Sequence, residues 1–157
     1  MEKEERMPRV RLSRAHTMST VEITKDNLEE TITSGGIVVL DFWAAWCGPC
    51  RSFAPVFEKA AETHEDIVFG KIDTEAEQEL AGMFGITSIP TVMAFRDGIN
   101  VFSQAGALPA PTLEQLVDAV RGLDMDEVRT QLAKEEAAAS ENGANEAGTV
   151  RTDGAQV

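Results

Sequence analysis

The run Ile37-Val38-Val39-Leu40-Asp41-Phe42-Trp43 constrains the fold more than any other stretch of the chain. It is β-branched and aromatic, and apolar on both alternating sets of positions except at Asp41. A short run of this kind fits a strand buried on both faces, and such a strand belongs to a sheet covered by helices on two sides. The surrounding pattern agrees. Thr20 to Ile23 is short and extended, and Asp26 to Thr33 is weakly amphipathic. From Gly48 to Thr63, Phe53, Val56, Phe57 and Ala60 recur at helical spacing, with Pro55 expected to bend the helix. Ile67 to Ile72 is a second buried strand, and Glu75 to Phe84 carries Leu80, Met83 and Phe84 on one helical side. Thr91 to Phe95 and Ile99 to Ala105 read as a hairpin through Arg96-Asp97-Gly98, since Asp-Gly is a strong turn signal. Leu113, Leu116, Val117 and Val120 mark another amphipathic helix, and Met125 to Ala139 continues as helix. The order β-α-β-α-β-α-β-β-α predicts the α/β class: a single mixed central β-sheet flanked by helices on both faces.

The 157 residues suffice for one domain with tails. Residues 18–123 are expected to form that domain, 1–17 a flexible polar arm, 124–139 a helical extension, and 140–157 a disordered acidic tail. Patterning begins just after Met18, which makes Met18 a candidate true start. Asp and Glu outnumber Lys and Arg by 27 to 14, and the net charge of −13 repels phosphate backbones, so a nucleic-acid role is not expected. No segment has the apolar length of a membrane helix. The first residues have neither an apolar stretch nor a small-residue cleavage site, and a reducing, cytoplasmic setting is the expectation.

Two cysteines, Cys47 and Cys50, are all the chain has, and they enclose only Gly48 and Pro49. A ring that small is a poor structural staple, so the pair reads as chemistry. Disulfide exchange requires a thiolate. Cys47 stands where a buried strand gives way to a helix, and there unpaired N–H groups and the helix dipole stabilise negative charge on sulfur. Cys47 is thus the expected nucleophile. Cys50, one turn further in, is placed to attack a mixed disulfide from within. Pro49 stiffens the helix start, where its missing N–H costs nothing. With no positive charge between the cysteines, the pair leans towards reductant. Two structural cysteines could share the spacing by accident, and a closed zinc site would have to complete the pair with His16, in the polar arm, and His64, at a helix C-terminus, so no metal site is expected. From the residues alone, Asp41 could equally be a satisfied structural carboxylate and Lys71 an ordinary strand-edge lysine.

Asp41-Phe42-Trp43-Ala44-Ala45-Trp46-Cys47-Gly48-Pro49-Cys50 resembles the active-site segment of the thioredoxin family. Lys71-Ile72-Asp73, Ile89-Pro90-Thr91, Phe95-Arg96-Asp97-Gly98 and Gly106-Ala107-Leu108 match its later landmarks in order, over about Ser19 to Gly122. Ser88 and Phe84 depart from residues common in the family, Gly and Tyr. The resemblance implies the thioredoxin fold and a protein-disulfide reductase, with Asp41 as general base for Cys50 and Lys71 as its neighbour. It implies a cis peptide bond before Pro90, which would offer the Ile89 and Thr91 backbones to a substrate strand. It implies an apolar rim of Trp46, Ile89, Ala105 and Gly106 around Gly48 and Pro49, with Trp43 supporting the loop. Implied partners are disulfide-containing proteins and an NADPH-dependent thioredoxin reductase that re-reduces the chain. No cofactor is expected on the chain, because Gly35-Gly36 is too short for a dinucleotide loop. The implied role is general redox homeostasis in the cytoplasm, carried out by a monomer. A rival reading is a thiol-independent binding module, favoured by the acidic extension after Gly122.

Overall fold

Each apolar run of the sequence becomes a strand of one sheet. The computed structural model describes residues 19–146, with side chains described through 141; the expected arm at 1–17 and the last part of the expected tail, 147–157, lie outside them. The elements are β1 (Val21–Glu22), α1 (Leu28–Thr33), β2 (Ile37–Trp43), α2 (Gly48–Thr63), β3 (Val68–Asp73), α3 (Gln78–Met83), β4 (Thr91–Arg96), β5 (Ile99–Ala105), α4 (Ala110–Arg121) and α5 (Met125–Glu146). The sheet order is β1-β3-β2-β4-β5, parallel from β1 to β2 and antiparallel from β2 to β5. The mixed α/β sheet is therefore the expected one.

Alternation along β2 divides the core. Val39 joins Phe53, Phe57, Phe69, Val92, Leu113 and Val117 beneath α2 and α4. Val38, Leu40 and Phe42 face the other way, with Leu28, Ile72, Leu80 and Met93 beneath α1 and α3. Asp41, two positions after Val39, thus points to the α2 side. Pro55 lies inside α2 without ending it. Gly70 is required by the packing of β3: a Cβ there would meet Ile23 Cγ1 at 2.5 Å and Leu40 Cδ2 at 2.8 Å. At the β4–β5 turn, Asp97 (φ 52°) and Gly98 (φ 81°) both adopt left-handed backbone, as a tight two-residue hairpin demands. The Asp97 N–H donates to the Gly36 carbonyl at 3.0 Å, tying the turn to the loop before β2.

Two helices differ from expectation. The helix expected from Glu75 begins only at Gln78: Asp73 first closes a separate turn, its Oδ1 accepting the N–H groups of Glu75 (2.9 Å) and Ala76 (3.4 Å) and its carbonyl that of Glu77 (2.9 Å), and the regular helix follows it. The described residues divide into two compact units, one ending at Val120 and the other beginning at Arg121. In the second, α5 is capped by Asp124 Oδ1, which accepts from the N–H of Asp126 at 3.0 Å. It continues to Glu146 instead of stopping at Ala139, through Ser140, Asn142 and Gly143, whose low helix propensity marks this stretch as tail. Among the described residues no helix is long and apolar enough to cross a membrane.

Candidate active site

Cys47 is the N-cap of α2. Its backbone is extended (φ −85°, ψ 114°), Gly48 and Pro49 form the first helical positions, and its Sγ accepts the Cys50 N–H at 3.2 Å. The sulfur therefore occupies the place where a capping oxygen usually satisfies an orphan amide, at the positive end of a 16-residue helix. Cys47 and Cys50 are joined in a disulfide with Cα atoms 5.3 Å apart. In this oxidised state both are almost covered, at 4% and 3% exposure, so burial does not distinguish the two sulfurs. Trp43, Ala44 and Ile89 pack around them, in keeping with a supporting part for Trp43.

Beneath the helix, Asp41 is fully buried and neither carboxylate oxygen has a hydrogen-bond partner among the described residues. Burial pushes its carboxyl from 3.8 up to about 7, and the Lys71 ammonium pulls part of the way back. Lys71 is the register partner of Asp41 on β3. It stands on a strand flanked by β1 and β2 rather than at the sheet edge, with its Nζ 5.1 Å from the centroid of the Trp43 ring. A hollow of about 260 Å³, lined by Trp43, Ala44, Ala45, Cys50, Arg51, Ala54 and Lys71, opens beside the second cysteine.

The facing wall comes from the segment before β4. The Ile89–Pro90 bond is cis, and the Ile89 carbonyl oxygen lies 3.7 Å from Cys47 Sγ. The Pro90 carbonyl accepts the Gly106 N–H at 2.7 Å, and Thr91 Oγ1 donates to the Ser88 carbonyl at 2.6 Å. Thr91 is buried and opposed by Phe42 on one side and Ala105 on the other, so its backbone lies within the sheet; Ile89 is left as the backbone facing the sulfur. Gly48, Pro49, Ala105 and Gly106 are exposed, Ile89 is half-buried, and Trp46 is 65% exposed. Of the residues singled out in sequence, Ile89 packs against the disulfide and Lys71 lines the hollow beside Cys50.

Two neighbours escape the sequence reading. Glu75 Oε1 accepts a hydrogen bond from Trp46 Nε1, and Arg51 Nε donates to the Ala45 carbonyl at 3.2 Å. The apolar spacing assigns Glu75 to a helix. Asp73-Thr74 ahead of it is a turn signal that could release it from that helix. Among the described residues no group of three or more His, Cys, Asp or Glu side chains is arranged to hold a metal ion.

The Thioredoxin family model matches residues 19–119. The chain is 55% identical over 121 residues to a thioredoxin 2 proposed for Streptomyces coelicolor, covering 77% of this chain and 90% of that one. It is 41% identical over 105 residues to the thioredoxin of Alicyclobacillus acidocaldarius, covering 66% of this chain and 100% of that one. Among solved structures, a single-site mutant of thioredoxin from Halobacterium salinarum superposes with a TM-score of 0.63 at 31% identity, covering 67% of this chain and 93% of that one. A match over most of the chain, on a sheet of this order with its cysteine pair at the head of α2, leaves one conclusion: the chain belongs to the thioredoxin family.

Proposed function

We propose that the chain is a protein-disulfide reductase of the cytoplasm in which Cys47 attacks, Cys50 resolves, and Asp41 accepts the proton of Cys50. The reaction class is dithiol–disulfide exchange, as in the family, and it needs no bound cofactor. The Cys47 thiolate attacks one sulfur of a substrate disulfide and releases the other as thiolate. Cys50 then gives its proton to Asp41, through a water in the adjoining hollow, and attacks Cys47 Sγ. The substrate leaves as its second thiolate, and the two electrons it carries away leave the Cys47–Cys50 disulfide behind.

The observation that carries this reading is the disulfide at the head of α2, with Cys47 Sγ accepting an amide N–H. The role of Asp41 is supported by its burial and its carboxyl near pH 7, where it can both take and return a proton. Lys71 keeps that carboxyl from rising further. Trp46, Gly48, Pro49, Ile89, Ala105 and Gly106 would form the docking rim, with the buried Pro90 holding the cis turn and Ile89 offering backbone to an extended substrate segment. Thr91 would contribute by holding the loop through Ser88. A thioredoxin reductase using NADPH regenerates the dithiol. A reducing compartment suits such a cycle, and a monomer suffices because every proposed group comes from one chain.

The test is reduction of insulin disulfides with NADPH and candidate thioredoxin reductases. Turnover is expected from the unaltered chain and none from Cys47→Ser. Cys50→Ser should accumulate a mixed disulfide on Cys47. Absence of turnover with both cysteines present overturns the reading, and retention of biological activity by Cys47→Ser would favour a thiol-independent binding module.

A further inference from the structure

We propose that Glu75 determines specificity at this site: it fixes the Trp46 indole on the rim and sets beside it a negative charge that favours disulfides flanked by lysine or arginine. The inference rests on the reductase reading and adds a substrate class to it.

Trp46 is a large apolar side chain left mostly in solvent, next to the nucleophile. A free indole there would sample several rotamers and lose that freedom on docking. Instead its Nε1–H is bound by Glu75, from a loop 29 residues away. Glu75 is itself held on both backbone sides, its N–H by Asp73 Oδ1 at 2.9 Å and its carbonyl by Gln78 Nε2 at 3.3 Å. The indole is thereby presented in one orientation.

The same bond fixes a charge. It occupies Oε1, and the other Glu75 oxygen has no protein partner among the described residues. The neighbouring carboxylates are otherwise engaged: Asp73 with backbone amides, and Glu77 Oε2 with the Lys25 N–H at 3.4 Å. Among the described residues Glu75 forms no ion pair with Arg51, which meets the Ala45 carbonyl, with Lys71, which lies over Trp43, or with Lys25, whose N–H meets Glu77. An incoming cationic side chain therefore finds an uncompensated carboxylate beside the indole. An exposed pair of this kind is worth a factor of about two to five in binding.

The test uses the full chain with NADPH and reductase, and two disulfide peptides that differ only in carrying two lysines or two glutamates beside the cysteine. The unaltered chain should show higher kcat/KM on the lysine peptide. Glu75→Gln keeps an acceptor for the indole and removes the charge. It should leave the Trp46 indole N–H resonance in place while reducing the preference by about two- to fivefold. Glu62→Gln makes the same change in net charge on an exposed residue near the far end of α2 and should keep the preference. Glu75→Ala should also shift the indole resonance, speed its exchange with solvent, and lower kcat/KM on both peptides. Equal effects of Glu75→Gln and Glu62→Gln, or an indole proton indifferent to Glu75→Ala, overturn the proposal alone. Failure of the unaltered chain to reduce either peptide overturns it together with the reductase reading.

Discussion

Asp41 is a buried acid that the fold holds at a cost, and that cost can be measured. In the folded chain the carboxyl keeps its proton up to about pH 7, whereas in the unfolded chain it ionises near 3.8. Between those values the folded state binds more protons, so stability falls as pH rises through the window and levels off above it. The distance from 3.8 to about 7, at about 1.4 kcal/mol per tenfold change, is on the order of 4 kcal/mol at the plateau. Roughly 2–3 kcal/mol of this develops between pH 5 and pH 8. Asp41→Asn keeps the shape and removes the ionisation. Its amide would have no partner among the described residues, but neither has the protonated carboxyl, so at low pH the two chains should be nearly equal. The assay is urea unfolding of the oxidised protein from pH 5 to pH 8, taking the difference between variant and parent so that all other titrations cancel. The variant should be more stable, by a margin that widens with pH. A constant margin, or one that widens towards acid, refutes the argument that desolvation of Asp41 governs its ionisation.

Removing the Lys71 charge with Lys71→Met should raise the Asp41 carboxyl above about 7, since the ammonium is the force that lowers it; carboxyl-carbon NMR titration reads the change directly. Gly70→Ala should destabilise the oxidised protein by about 1–3 kcal/mol in chemical denaturation, because its Cβ would intrude on Ile23 and Leu40. Thr91→Val removes the donor to the Ser88 carbonyl in a buried site, and should cost about 1 kcal/mol in the same assay while lowering kcat/KM for protein disulfides.

Much of the fold is legible in the sequence because its signals are local. The β2 run, the Asp97-Gly98 turn and the helical spacing after Pro49 each specify one element without help from distant residues. What sequence does not supply is register. That Lys71 stands opposite Asp41, on the same face of the sheet, is expected only through the family resemblance; it follows from how β2 and β3 pair, and a slip of one residue would send the lysine to the other face. The late start of α3 is hidden for a related reason: Asp73 closes a separate turn through Glu77 before the helix, and apolar spacing does not report that break. Glu75 is hidden with it. The cis bond at Pro90 is expected through the family resemblance and not from the residues alone.

The proposed chemistry draws on opposite treatments of charge within a few residues. At Cys47 the helix terminus supplies N–H groups that favour an anion; at Asp41 burial without partners disfavours one. A helix end that offers an N–H to sulfur and a carboxyl that burial makes a weaker acid lie on the same side of one sheet, as donor and acceptor roles require. Neither effect depends on the side chains of the rim. Trp46, Glu75, Ala105 and Gly106 can therefore change which disulfides dock without altering the ionisation that drives exchange. On this argument, selection for new partners acts on the rim, while β2, β3 and the first turn of α2 are held by the chemistry.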